Sequence, residues 1–264
     1  MSGNDDLLNL ADGDVLTSLQ GGVLTMTMNR PDTLNALPAA MAETMEAVVR
    51  EATRHAGVRV LVLRGAGKGF CSGADLDPDA PPSPATLDQG AALVIAMRRF
   101  PRPIVSVVHG PCAGIGVSIA LAADLVIASE KAFFLLAFTN IGLMPDGGAT
   151  ALVAASIGRA RAMRMALLGE RVPAPVAMDW GLITHLSPVE DLETDVDALV
   201  ATLASGPTVA YGVTKEAINE ATVGHLHEAL HRERYGQTSL MTTSDFVEGV
   251  TAFRERRSAS FTGE

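Results

Sequence analysis

Two glycine-rich loops, each entered from an apolar strand-like run and left through a helix-like one, constrain this chain more than any other feature. Residues 58–63 (VRVLVL) stop in RGAGKGFCSGAD. Residues 104–108 (IVSVV) lead into GPCAGIGVSIALAADLVIAS, where glycines give way to a helix and then to another strand. Short β-rich runs bounded by glycine and alternating with helical stretches predict an α/β core. Glycine lets backbone approach a ligand closely and adopt positive φ. A loop that runs into a helix offers N–H groups with no partner inside the helix. The same glycines can also simply make turns. Neither loop is a nucleotide motif: RGAGKGF lacks the GK[ST] ending of a P-loop, and its spacing is not GxGxxG.

The remaining pattern fits around that core. Residues 15–19 and 23–28 are β-rich and separated by Gly21-Gly22, which predicts a hairpin. Residues 38–54 carry helical spacing (Met41, Met45, Val48, Val49, Ala52) and end near Gly57. DPDAPPSP (77–84) reads as an irregular, mobile loop before a helix over 85–99. Residues 132–170 hold a short β run, the loop GLMPDGGAT and helices, and from about 190 onward the pattern is entirely helical. The expected division is therefore a core over 1–195 and a helical region over 196–264, within the reach of 264 residues as one large domain with an appendage.

The formal net charge of −10 argues against a nucleic-acid or anionic-membrane partner, and any anionic substrate must be drawn by a few local cations. Cys71 and Cys112 are too few for a disulfide framework and read as buried structural thiols, although they flank the glycine loops. The N-terminal MSGNDDLLNL has no export pattern, and no apolar run of about 18 residues suggests a membrane span. The expectation is a soluble cytoplasmic protein.

Five segments in register carry a family resemblance: NRPDTLNAL (29–37), VLRGAGKGFCSGADL (62–76), GPCAGIGVSIALAADLVIAS (110–129), IGLMPDGGAT (141–150) and SDFVEGVTAFRERRSASFTG (244–263). Together they resemble the enoyl-CoA hydratase/isomerase family, also called the crotonase superfamily. The resemblance implies a spiral of ββα turns that binds acyl-CoA over 1–195. It also implies a C-terminal helical region that builds trimers, often paired into hexamers, and no cofactor or metal beyond the coenzyme A of the substrate. It further implies an oxyanion hole of two backbone N–H groups, matching Ala74 (in SGAD) and Ile115 (in AGIG). Removing a proton beside a thioester puts charge on the carbonyl oxygen, and each preorganised donor can be worth roughly 3 kcal/mol in the transition state. Relatives mostly have glycine where Ile115 stands. A backbone donor is indifferent to its side chain, but isoleucine narrows the acyl pocket.

The acid–base groups depart from the hydratase pattern. The two glutamates of family hydratases fall on Ser118 and Phe138, neither of which can act as a general base; Ser118 is instead read as a hydrogen-bond donor to the substrate or as a packed helix residue. Asp146, in LMPDGG, matches a working aspartate of some isomerase and dehalogenase relatives, and apolar Leu143, Met144 and Phe138 would raise its pKa. Read structurally, Asp146 is instead an N-cap for the helix beginning at GGATALV. Asp75 reads as a brace for its loop. On the coenzyme side the resemblance places Arg30 and Lys68 as cations at the mouth, with backbone near Thr33, Leu34 and Ala36 along the pantetheine and Ser72 near the adenine. Phe253 and Arg256 would come from the tail of another subunit, while Leu76, Gly114, Leu143 and Pro145 complete the expected lining. Each cation can equally be a solvated surface charge. Leu93, Met97 and the segment 77–90 are expected to shape the acyl end.

His227-Glu228-Ala229-Leu230-His231 spells HExxH, the helical zinc motif, with Glu248 or Glu255 as conceivable third ligands. The same stretch reads as an amphipathic helix with Leu226 and Leu230 on its buried face. The preferred function is enoyl-CoA isomerisation with Asp146 as the single acid/base. The alternatives are hydration without the glutamate pair and a catalytically silent acyl-CoA binder.

Overall fold

A computed structural model describes residues 13–76 and 83–264. The N-terminal segment read for an export signal, and residues 77–82 of the expected irregular loop, lie outside the described residues.

Strands β1 (Val15–Gln20) and β2 (Val23–Met28) form the expected hairpin, with φ of 58° at Gly21 and 84° at Gly22, as a two-residue turn of this hand demands. Helix α1 (Ala39–Arg54) turns Met41, Met45, Val48, Val49 and Ala52 into the core. Strands β3 (Val60–Gly65), β4 (Ile104–Val108), β6 (Leu125–Ser129) and β9 (His185–Ser187) complete a six-stranded sheet in the order β1-β2-β3-β4-β6-β9, parallel except for the first hairpin. Strands β5 (Pro111–Ala113), β7 (Phe133–Leu135) and β8 (Val172–Pro173) make a smaller sheet. Helices α2 (Pro84–Arg99), α3 (Ile115–Ala122), α4 (Ala149–Leu168) and α5 (Ala174–Trp180) fill the connections. The α/β expectation holds, with repeated ββα turns followed by helices.

Parallel strands buried on both faces read as unbroken apolar runs rather than alternating ones. Leu61 and Leu63 of β3 point into the main core, while Val60 and Val62 join Val105 and Val107 of β4 on the other face. That second face is covered by α6 (Leu192–Ser205) through Leu192, Val196 and Val200. The boundary expected at 195/196 therefore falls inside a helix that belongs to the core, because the outward valines need a cover that helical periodicity alone does not reveal. Helices α7 (Thr208–Val223), α8 (Leu226–Leu240) and α9 (Ser244–Glu255) form the tail.

Ser83 caps α2 by accepting from the Thr86 N–H, and Pro84 is its first residue, so the helix expected over 85–99 is present and starts one residue earlier.

Candidate active site

The two glycine loops leave neighbouring parallel strands at the same sheet edge, since β3 pairs β4 with Leu61 opposite Ile104 and Leu63 opposite Ser106. They stay paired beyond the sheet: the backbones of Cys71 and Cys112 form an isolated parallel β-bridge, and the Ala113 N–H donates to the Cys71 carbonyl at 2.8 Å. Three residues further on in each loop stand Ala74 and Ile115. The turn between depends on glycine at 73 (φ 115°) and 114 (φ 54°), where a Cβ on Gly114 would lie 3.2 Å from the Gly73 Cα.

Leu37 bonds the Gly73 carbonyl (2.8 Å) and the Asp75 N–H (3.1 Å) on either side of Ala74, so the Ala74 N–H faces the opposite way. Ile115 opens α3, where an N–H has no carbonyl inside the helix to meet. Among the described residues neither N–H donates to a protein acceptor, and both residues line a cavity of about 650 Å³.

Asp146 lies in the wall of the same cavity and is 9% exposed. Its Oδ2 accepts from Gln237 Nε2 at 2.9 Å, whereas its Oδ1 is buried without a partner. Burial pushes the carboxyl from its ordinary 3.8 to about 7; the Gln237 hydrogen bond opposes this and the charge of Glu233 adds to it. Phe138 and Leu143 share the wall, as expected, while Met144 packs against Gly236 of α8 instead.

The N-cap reading of Asp146 does not hold. Helix α4 starts after Gly148, and its N-terminus is met by the Glu233 carboxylate of α8, which accepts from the N–H groups of Gly148 (2.7 Å) and Thr150 (2.9 Å) and from the Thr150 hydroxyl. An acceptor arriving from α8 leaves the aspartate free of that duty. Burial raises the Glu233 pKa against these hydrogen bonds. Glu233→Ala would strand two N–H groups at a buried helix start and cut the tie between α8 and α4. The expected cost is about 3 kcal/mol, or roughly 6–12 °C in Tm, read by thermal denaturation. An unchanged Tm would show that the tie carries nothing.

Ser118 requires a correction. It is wholly buried, and its hydroxyl donates to the Asp146 carbonyl at 2.7 Å, so it fixes the aspartate backbone and does not line the cavity. Pro145 is buried behind the wall, and Leu34 serves through its carbonyl, which accepts from the Ser72 N–H (2.9 Å). Lys68 is exposed and away from the cavity, as is Arg256, which ends α9. Leu93 and Met97 are wholly buried in the core, whereas Thr86 and Leu87 of α2, within the expected segment 77–90, face the cavity. Leu93 and Met97 lie on the helix face turned to the core.

The other expected lining residues, Thr33, Ala36, Ser72, Asp75, Leu76, Gly114 and Arg30, are all in the wall. Arg30 donates to Asp75 Oδ2 and to the Ala36 carbonyl, each at 2.7 Å, which makes Asp75 the brace it was read as. Phe253 also lines the cavity, but from this same chain, because α9 packs against residues 137–141.

Gln237 and Met241 line the cavity and were missed. A signal existed: Leu226, Leu230, Glu233 and Gln237 share one helical face, and two polar residues at core positions ask for partners. Cys71 and Cys112 are wholly buried; burial raises the Cys71 thiol to about 11 and Cys112 well above its usual value, so neither is a ready thiolate. In the HExxH stretch, His227 Nε2 lies 3.0 Å from an Arg99 guanidinium nitrogen, and among the described residues no group of three or more His, Cys, Asp or Glu is placed to hold a metal. No single described helix is long and apolar enough to cross a membrane.

Comparison with known proteins adds a separate line. Residues 18–264 match the family described as enoyl-CoA hydratase/isomerase. The chain is 38% identical over 258 residues to the 1,2-epoxyphenylacetyl-CoA isomerase of Escherichia coli (95% of this chain, 98% of that one). It is 40% identical over 246 residues to a probable enoyl-CoA hydratase of Rhodobacter capsulatus (92% and 95%). A crystal structure of an enoyl-CoA hydratase from Mycobacterium avium subsp. paratuberculosis superimposes with a TM-score of 0.91 at 49% identity, covering 96% of this chain and all of that one.

Proposed function

Because this chain belongs to the enoyl-CoA hydratase/isomerase family, we propose that it moves a double bond within an enoyl-CoA thioester. The N–H groups of Ala74 and Ile115 hold the thioester oxygen, and Asp146 carries the proton. The observation behind this reading is a single carboxyl with an unpartnered, buried Oδ1 in the wall that also presents those two N–H groups. Asp75, the other carboxylate in that wall, is engaged by Arg30. Asp146 takes a proton from C2, the C–H electron pair flows into a dienolate whose charge rests on the thioester oxygen, and the proton returns at C4. The reaction draws only on the thioester, the two donors and one carboxyl.

Water addition is the second reading, favoured by the similarity to the Rhodobacter capsulatus hydratase. The site argues against it, since Ser118 is turned to the Asp146 backbone and Phe138 is apolar. For assembly we read a trimer, supported by Val209 and Val213, a turn apart and exposed on α7.

The test is an assay of the protein with trans-3-enoyl-CoA and, separately, trans-2-enoyl-CoA, followed by absorbance and mass. Migration without a gain of water is the expected outcome. Rapid hydration would overturn the single-carboxylate reading, and tight acyl-CoA binding with neither reaction would move the weight to a silent binder.

A further inference from the structure

Asp146 faces a second cavity besides the main one. It measures about 120 Å³ and lies between α2 and α8, with Asp146 and Leu87 common to both walls. Its wall runs from buried Asp146 and Glu233 to exposed His227 and His231, the two histidines of the HExxH stretch, which helical spacing puts on one face. At the exposed end Asp88 of α2 and Arg234 of α8 form a two-bond ion pair of 2.5 and 3.0 Å. The space suits a few waters, each taking about 30 Å³ in the liquid, and the wall offers them polar partners.

An acyl group seated in the main cavity covers Asp146 from that side. The Gln237 amide holds Oδ2, and Oδ1 has no protein partner although it is buried. A carboxyl sealed on every side can only give back the hydrogen it took. One with water behind it can trade that hydrogen first.

We propose that the second cavity is a solvent-side proton route, through which water exchanges the proton on Asp146 while substrate fills the main cavity. The inference rests on the acid–base reading of Asp146. The chemistry balances: the carboxylate takes H⁺ from C2, the resulting carboxylic acid exchanges with D₂O to give its deuterated form and HOD, and the deuteron passes to C4, restoring the carboxylate. His227, His231 and the Asp88–Arg234 pair line the path and do not touch the substrate.

The experiment runs trans-3-hexenoyl-CoA in D₂O at low conversion and reads deuterium at C4 of the trans-2 product by mass. The parent enzyme should give product with substantial deuterium. Ala91→Phe, which places a ring in the second cavity, should keep turnover near that of the parent while deuterium falls severalfold. Ala91→Phe with unchanged deuterium, or parent product with almost none, would overturn the proposal. Should Ala91→Phe not fold, Asp88→Ala decides, since it opens the outer end without overpacking: a rise in deuterium supports the route and no change overturns it. Absence of any migration by the parent enzyme would overturn the acid–base reading itself, and the route with it.

Discussion

Asp146→Asn is expected to remove double-bond migration, by about a thousandfold in kcat, while acyl-CoA binding stays nearly intact. The amide matches the carboxyl in shape and can still meet Gln237, whose own Oε1 is buried without a partner. What it loses is the ability to accept a proton. In the parent enzyme kcat/KM should rise with pH through about 7 and level above it, because the free carboxyl must be ionised to act as base. A flat profile, or a substituted enzyme that still turns over, would remove Asp146 from the chemistry.

The same substitution should stabilise the fold. Folding raises the carboxyl from 3.8 to about 7, so the native state favours the protonated form. Below pH 3.8 both states are protonated and folding carries no penalty. Between 3.8 and 7 the unfolded chain ionises first, and the penalty grows. Above 7 it levels off on the order of 4 kcal/mol, at about 1.4 kcal/mol for each pH unit. Melting curves should therefore show Asp146→Asn more stable than the parent at pH 8, with the gain fading toward pH 4. Activity and stability are opposed at this one residue, as expected where a buried group is kept for chemistry.

Gly114→Ala carries the second large effect. Gly114 has φ 54° and ψ −131°, a region an L side chain enters at a cost of about 1–3 kcal/mol. The new Cβ would sit 3.2 Å from the Gly73 Cα, where two backbones already touch, and separating them moves the Ile115 N–H away from Ala74. Turnover should fall by about 10²–10³-fold, the usual effect of losing one oxyanion donor. Ile115→Ala is the control: it leaves the N–H in place and alters only the acyl pocket. Circular dichroism and a melting curve establish that the glycine variant is folded. A folded Gly114→Ala enzyme at full turnover would place the thioester oxygen elsewhere.

The elements most legible in the sequence are those whose signal is local. Gly21-Gly22 marks a two-residue turn because only such residues accept its φ, and the apolar spacing of 39–54 marks a buried helical stripe. The paired glycine loops could be read for the same reason, whereas Ala74 and Ile115 came from the family resemblance, because the role proposed for them rests on backbone position. Local spacing misled at Leu93 and Met97, which point to the core, while Thr86 and Leu87 of the expected segment 77–90 do meet the cavity. It was silent about α6, whose apolar face covers the sheet although its period resembles that of the helices behind it.

By itself, the sequence determined most of the order of strands and helices (though not β5, β8 or β9), the two glycine loops and the absence of a glutamate at positions 118 and 138. The tertiary structure decided what Asp146 is free to do. Gln237, 91 residues away, orients its carboxyl, and Glu233 takes over the start of α4, 85 residues before it. The tail helix α9 returns Phe253 to its own chain's cavity. The reason is physical: residue spacing encodes φ preference and the periods of helix and strand, which act within a few residues. A carboxyl's partners and its pKa depend on which distant side chains burial brings against it, and only the folded chain fixes those.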